Sequence, residues 1–391
     1  GLVARGTAQL PITFTSIAAT PAAEDWVGIK FTDTTTDATV DGNKAYVSGS
    51  VLEHTIIEYA EKAAHFNGGY PYISSSTIRN NATGVYVDNI GAGSLYVHDS
   101  VISNNTGGGI IVAGDAVYDN EEISILRNTI AGNKWGIKIS NISSNGDYNT
   151  VTAPKVVISD NTVGPDNTSH GITVGGVDGN TWITNNTVTN NPTATGILQV
   201  SNQLSASTAT LTLTGNTVRS NYRGIVSGAR SQNSWESKYI ANNIIANNDS
   251  SPLTEPDIGA TWGGNTQIEG PWMGWYTGLV VVGVIGNSPE TIVVENNIIT
   301  GNKGPCFPGG VFFSDEADQG NLSDSILSFR NNVIADNTEV DSGGHQQYCQ
   351  APAFEISAGD GWDVSGNTIT RNTSTRMGLR VTLGTGGTFT N

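Results

Sequence analysis

Short β-branched runs alternate along this chain with single Asn, Gly and Ser positions, and within each run every second residue is apolar. A period of two marks strands that bury one face. The runs recur around a six-residue motif, Asn-[Thr/Asn/Val/Ile]-[Ile/Val]-x-x-Asn. Its clearest copies begin at Asn128, Asn186, Asn216, Asn297, Asn332 and Asn367. The copy at Asn243 fits, the copy at Asn161 carries Asp166 in place of the second Asn, and earlier copies begin at His54, Ser76 and Ser100. These eleven anchors are spaced by 22 to 54 residues. A minimum repeat with variable excess is what stacked coils with loops of different length produce.

Three apolar columns follow from aligning the anchors. Three residues before them stand Val97, Ile125, Ile158, Ile183, Leu213, Ile240, Val294, Phe329 and Val364. Two residues after them stand Ile102, Ile130, Val163, Val188, Val218, Ile245, Ile299, Ile334 and Ile369. A third strand follows a Gly, as in Gly84-Val-Tyr-Val, Gly109-Ile-Ile-Val, Gly136-Ile-Lys-Ile and Gly171-Ile-Thr-Val. The pattern predicts an all-β, right-handed parallel β-helix, a single-stranded solenoid of three sheets with about 11 or more coils. At ordinary strand spacing eleven coils make a rod about 50 Å long. One domain is expected over residues 1–391, with a loop insert at 250–276. Asn at the corners tolerates left-handed backbone and can stack its side chains into hydrogen-bonded ladders. Two ladders five residues apart are expected.

Composition supports an array over a conventional core. The 391 residues include 48 Gly but only 2 Met, and 14% are charged. The net charge of −17, from 35 acids and 18 bases, disfavours nucleic acid and anionic lipid. It permits calcium, cationic partners or neutral glycans, and it also serves plain solubility. The longest apolar stretch, Gly278–Gly286, is too short for a membrane span. The chain opens inside a strand-like motif without an initiator Met, as expected of a mature or truncated fragment.

The repeats resemble the pectate-lyase-like superfamily of parallel β-helix proteins. So does the opening, Leu2-Val-Ala-Arg-Gly-Thr followed by Pro11-Ile-Thr-Phe-Thr-Ser16, which is similar to the first coils of secreted and cell-surface members. Trp26-Val-Gly-Ile-Lys-Phe31 and Ser50–Tyr59 extend the likeness. The resemblance implies an extracellular or cell-surface location. It implies the fold far more than the function, because this scaffold hosts lyases, hydrolases, epimerases, adhesins and structural rods.

Several residues stand out from the scaffold. Trp262, Trp272, Trp275 and Tyr276 fall in the insert and suit the apolar faces of sugars, unless the loop buries its own aromatics. Trp182, Tyr96 and Tyr239 share an outward column. Cys306 and Cys349 follow equivalent corners of successive coils, so a disulfide is feasible; two free thiols are the other reading. Asp315, Glu316 and Asp318 form an acidic turn that could hold Ca²⁺ or simply be solvated; no cofactor is required. Asp99, Arg127 and Asp160, then Glu295 and Arg330, then Glu355 and Arg380, sit at matching positions of neighbouring coils and read as ion-pair ladders.

The lyase and hydrolase signatures that the resemblance implies are missing. There is no adjacent Asp-Asp pair, no Asp-Pro-His and no Arg-x-Lys, and the five His are scattered. The reading adopted is a non-catalytic secreted or cell-surface rod for surface structure, adhesion or glycan binding. Its partners are a polysaccharide or cell-surface glycan, or further copies of itself, head to tail or side by side. The alternative is a polysaccharide lyase or hydrolase with its groove near coils 243–367, where Asp315, His345, Glu355 and Arg380 are the catalytic candidates.

Overall fold

A computed structural model describes residues 1–89, 93–117, 122–143, 155–177, 179–200, 210–228, 237–251, 277–282, 291–305, 308–313, 326–340, 354–358, 362–374, 379–383 and 387–390. Among the described residues every regular element is a β-strand. The chain forms two compact units, Gly1–Thr187 and Val188–Asn391. Each winds as a right-handed parallel β-helix with three strands per coil. One coil of the first unit runs Val51–Glu53, Thr55–Glu58, Lys62–Asn67. Each of these strands pairs in parallel with its equivalent one coil later, at Tyr72–Ser74, Thr77–Arg79 and Thr83–Asn89.

In the first unit seven described strands stack in the first sheet, from Val3–Arg5 to Asn180–Thr184. In the second unit six do, from Thr210–Thr214 to Thr388–Thr390. That exceeds eleven coils. An opening coil of Val3–Arg5, Ile12–Phe14 and Ile29–Thr32 precedes the first anchor and has no Asn to reveal it.

The anchors form the predicted ladders, and their chemistry is sharper than corner tolerance. Asn243 is fully buried. Its Oδ1 accepts from the backbone N–H and Nδ2 of Asn216, each at 3.0 Å. Its Nδ2 donates to Leu213 O at 2.8 Å and to Asn297 Oδ1 at 2.9 Å. Both lone pairs and both protons of the carboxamide are therefore used, and Asn offers them on the shortest stem that carries this group. The second ladder repeats the scheme, with Asn302 between Asn248 and Asn337. Where the first ladder begins, Ser76 Oγ accepts from Thr55 N–H at 3.0 Å and donates to Ser74 O at 2.8 Å.

Left-handed backbone falls on the residue before each rung instead. Asp99, Arg127, Asp160, Asn185, Asn242, Asn296 and Asn331 have φ of 51–58°. Two assignments shift as a result. The first anchor is Thr55, which pairs with Ser76, while His54 takes the left-handed position at φ 50°. In the Asn161 coil the second rung is Asn167, which accepts from Asn133, and Asp166 takes the left-handed position at φ 64°.

The inward columns pack as expected: Ile73, Val97, Ile125 and Ile158 in the first sheet, and Ile78, Ile102, Ile130 and Val163 in the second, are all fully buried. The third strand needs its leading Gly because coils approach closely there. A Cβ on Gly136 would stand 2.4 Å from Gly171 O. Polar residues interrupt the inward face of the second unit: Lys238, 1% exposed, lies in register between Leu211 and Ile292, and buried Ser227 donates to Gln199 Oε1 at 2.7 Å in the third sheet.

The ladder makes a contrast testable between neighbours. Asn243→Ala strands the Asn216 donors and the Leu213 carbonyl, and should cost about 3–5 kcal/mol. Asn242→Gly, one residue earlier on an exposed left-handed corner, should change stability by less than about 0.5 kcal/mol. Urea unfolding of the two variants measures both.

Candidate functional site

Of the residues singled out from sequence, Trp262, Trp272, Trp275, Tyr276, Asp315, Glu316, Asp318, His345, Cys306 and Cys349 lie outside the described residues. Glu355 and Arg380 are described and adjacent, with Arg380 Nε 3.5 Å from Glu355 Oε1. Both stand on the outward side of the third sheet, in register. Burial pushes the Glu355 carboxyl up, and the Arg380 charge opposes that rise.

Asp99–Arg127, Glu295–Arg330 and Glu355–Arg380 pair as expected, while Asp160 accepts from Ser159 Oγ at 2.6 Å. Arg127 Nε meets Asp99 Oδ1 at 2.7 Å, and Arg330 lies 3.6 Å from Glu295. Arg371 makes a two-pronged pair with Asp336 at 2.6 and 2.7 Å. These pairs link successive coils through exposed corners and strand faces, so they use cations and carboxylates without gathering them into a cleft. Among the described residues no three His, Cys, Asp or Glu side chains come together at a metal-sized spacing.

The densest functional chemistry lies on the outward face of the third sheet in the first unit. In the repeated Gly-[Val/Ile]-x-[Val/Ile] strands the residue x points outward, which sets Tyr86, Ile111, Lys138 and Thr173 in register on successive coils, with His65 before them. His65 Nε2 lies 2.8 Å from Asp88 Oδ2, and Asn67 Nδ2 donates to Asp88 Oδ1 at 2.9 Å. Burial alone would raise the Asp88 carboxyl. The hydrogen bonds from Asn67 and His65, with the charges of His65 and Lys62, outweigh it and hold Asp88 below the usual carboxylate range.

Each end of this row pairs a cation with an aromatic ring. Lys62 Nζ sits 4.2 Å from the Tyr86 ring centroid and Lys138 Nζ 4.3 Å from that of Trp135. Trp135 stacks on His170, with centroids 4.8 Å apart and planes at 8°. Thr173 Oγ1 is buried beside them and makes no hydrogen bond. Lys62, His65, Tyr86, Trp135 and Lys138 all remain partly exposed. These residues escape a reading of the sequence because they do not repeat from coil to coil as the inward Val and Ile do. The signal was the odd residue within each Gly-led strand.

Two other stretches of outward face are closed among the described residues. In the second unit, on the third sheet, Arg223 and Val226 are each 5% exposed and Val280 1%. Burial lowers the Arg223 guanidinium to about 10. In the first unit a hairpin of Thr39–Val40 and Tyr46–Ser48 covers the first sheet. Ala38, Val40 and Tyr46 pack on Val51, Tyr72 and Tyr96. Tyr96 is thus a buried residue, not part of a surface stripe with Trp182. Below the hairpin the Tyr72 hydroxyl donates to Lys44 O at 3.1 Å and meets His98 Nδ1 at 3.0 Å. His98 Nε2 lies 3.0 Å from Ser124 Oγ. With the Tyr72 proton on Lys44, Nδ1–H donates to the Tyr72 oxygen and Nε2 accepts from Ser124, which satisfies a neutral imidazole.

Comparison with known proteins adds little to this geometry. A family model described as a protein of unknown function, DUF1565, matches residues 149–271. No curated protein matches the chain. The crystal structure of Dettilon tailspike protein is similar at 13% identity and a TM-score of 0.27, covering 81% of this chain. The chain spans 62% of that protein, less than two thirds of its length.

His98 gives a pH dependence. Burial, aided by the charge of Arg127, lowers its imidazole from 6.5 to about 4. Between those values the unfolded chain binds the proton and the folded one does not, so stability falls as pH drops from about 6.5 to about 4 and levels off below. The loss should be about 3 kcal/mol. Urea titrations across this range should show it in the wild type, and His98→Gln should flatten the profile.

Proposed function

We propose that this protein is an extracellular or cell-surface β-helix that binds an extended polysaccharide along the outward third-sheet face of its first unit, without turning it over. One observation carries the reading. Lys62 with Tyr86 and Lys138 with Trp135 place a cation against an aromatic ring at both ends of a row, and Ile111 lies between them. An apolar ring beside a cation suits a sugar bearing an acidic group, because the C–H face and the anion are met together. The row stands out in a chain of net charge −17. Its residues sit on rigid strands, which lowers the ordering cost of binding. The likeness of the repeats to pectate-lyase-like proteins supports the same location and ligand class.

A lyase or hydrolase is the second reading, and the His65–Asp88 pair favours it. A carboxylate at 2.8 Å orients the imidazole as it would a general base. A single carboxylate already engaged by His65 and Asn67 falls short of the pair that glycoside hydrolysis uses. Calcium at Asp315, Glu316 and Asp318 and a Cys306–Cys349 bridge complete the proposal. Calorimetry with Ca²⁺ and thiol titration address them.

An array of acidic and neutral polysaccharides, followed by calorimetry, tests the main reading. Acidic glycans should bind more tightly at low salt. Trp135→Ala and Lys138→Ala should each weaken binding about tenfold, while Arg127→Ala on another face should not. Binding with no new reducing ends and no unsaturated-product absorbance is the expected result. Turnover that disappears in His65→Ala would instead establish the enzyme.

A further inference from the structure

The outward residues of the third sheet in the first unit fall into one column, and the column alternates. Lys30, His65, Tyr86, Ile111, Lys138 and Thr173 are paired in register, one per coil. Counting from Lys30, every second coil carries a cation. Lys30 is exposed on its own strand, Ile29–Thr32. Lys62 rises from the His65 coil but carries its ammonium to the Tyr86 ring, 4.2 Å from the centroid. Lys138 holds its ammonium 4.3 Å from the centroid of Trp135. The coils between differ. His65 is engaged by Asp88 at 2.8 Å. Ile111 folds back over Gly108, its Cδ1 lying 2.7 Å from where a Cβ on that glycine would stand. Ala113 follows as the next outward residue, so the middle coil presents Gly108, Ile111 and Ala113 and no polar side chain.

Building on the glycan binding proposed above, we infer that the ligand is a polysaccharide whose acidic groups stand on alternate sugars. A coil advances about 4.8 Å, close to the length of one sugar in an extended β-linked chain. Sugars laid along the column keep step with the coils, and two coils, about 10 Å, match one disaccharide. An acidic sugar at Tyr86 meets Lys62, and the sugar two places on meets Lys138. The sugar between them lies on Ile111, where a carboxylate would lose water and gain no counter-charge. In a chain of net charge −17 an acid without a cation is also repelled. Asp88 does not break the alternation, because its two oxygens are taken by His65 and Asn67 of the preceding coil. A polymer with an acid on every sugar puts charge on Ile111, and a neutral polymer leaves the lysines unmet.

Calorimetry of the full chain tests the alternation with three β-linked oligosaccharides of one length, each long enough to reach from Lys30 to Lys138. Salt at about 0.15 M screens long-range attraction. Hyaluronan has a carboxylate on every second sugar, oligomannuronate on every sugar, and a cello-oligosaccharide on none. The wild type should bind hyaluronan about tenfold more tightly than either of the others. Ile111→Lys should keep the wild-type unfolding midpoint, tighten oligomannuronate about tenfold and bring it level with hyaluronan. Lys30→Ala, at an exposed position, should weaken hyaluronan about threefold. Oligomannuronate that the wild type binds as tightly as hyaluronan, with Trp135→Ala weakening both, overturns the alternation and leaves the binding face standing. So does an Ile111→Lys variant whose preference matches the wild type. If neither acidic glycan binds the wild type, the binding face fails and the alternation falls with it.

Discussion

A coil that turns three times must leave backbone N–H and C=O groups at its corners without strand partners, and a solenoid buries those corners between neighbouring coils. An unpaired polar group there costs what a lost hydrogen bond costs, once per coil. The Asn ladders meet this demand. Each carboxamide takes the backbone N–H of the rung before it and covers a strand carbonyl, and its remaining capacity passes to the next rung. A ladder has no redundant member, since every rung completes its neighbour. That explains why the residue type is held from coil to coil while the residue one place earlier varies freely among Asp, Arg, Asn and Ser, needing only a left-handed backbone.

The same chemistry decided what was legible in the sequence. Sheet order and inward columns could be read because one residue type satisfies the corner almost everywhere. The frame slipped where another chemistry does the same work. At the first anchor the Thr55 hydroxyl takes the place of a carboxamide and donates to Ser76, so the motif pointed one residue early to His54. In the Asn161 coil the second rung lies six residues on, at Asn167, and a fixed spacing of five pointed to Asp166. The opening coil has no rung at all.

The site was less legible for a related reason. Outward residues satisfy no ladder, so nothing makes them repeat. His65, Tyr86, Ile111 and Lys138 lie more than twenty residues apart in sequence and become neighbours only through register. Reasoning from loop length led instead to the inserts of the C-terminal half. Glu355 and Arg380, the two candidates there with a described position, form an ion pair between coils like Asp99 with Arg127.

The division of labour among the faces follows from how freely each can vary. Inward positions are fixed by packing and corner positions by the ladders, so specific chemistry is left to the outward positions and the loops. On the first sheet of the first unit a hairpin has claimed that freedom, and burial of Tyr72 and His98 beneath it excludes a ligand. The second sheet has strands of mostly three residues between two ladders, too short to shape a pocket. The third sheet has the longest strands, up to ten residues at Gly108–Val117, with register shifts beyond Val87 and beyond Ala113. Lys62, Tyr86, Trp135 and Lys138 lie ahead of those shifts, in regular register. A long strand can carry Trp135 and Lys138 together, three places apart, where a three-residue strand could not. Recognition chemistry therefore sits where the strands are longest.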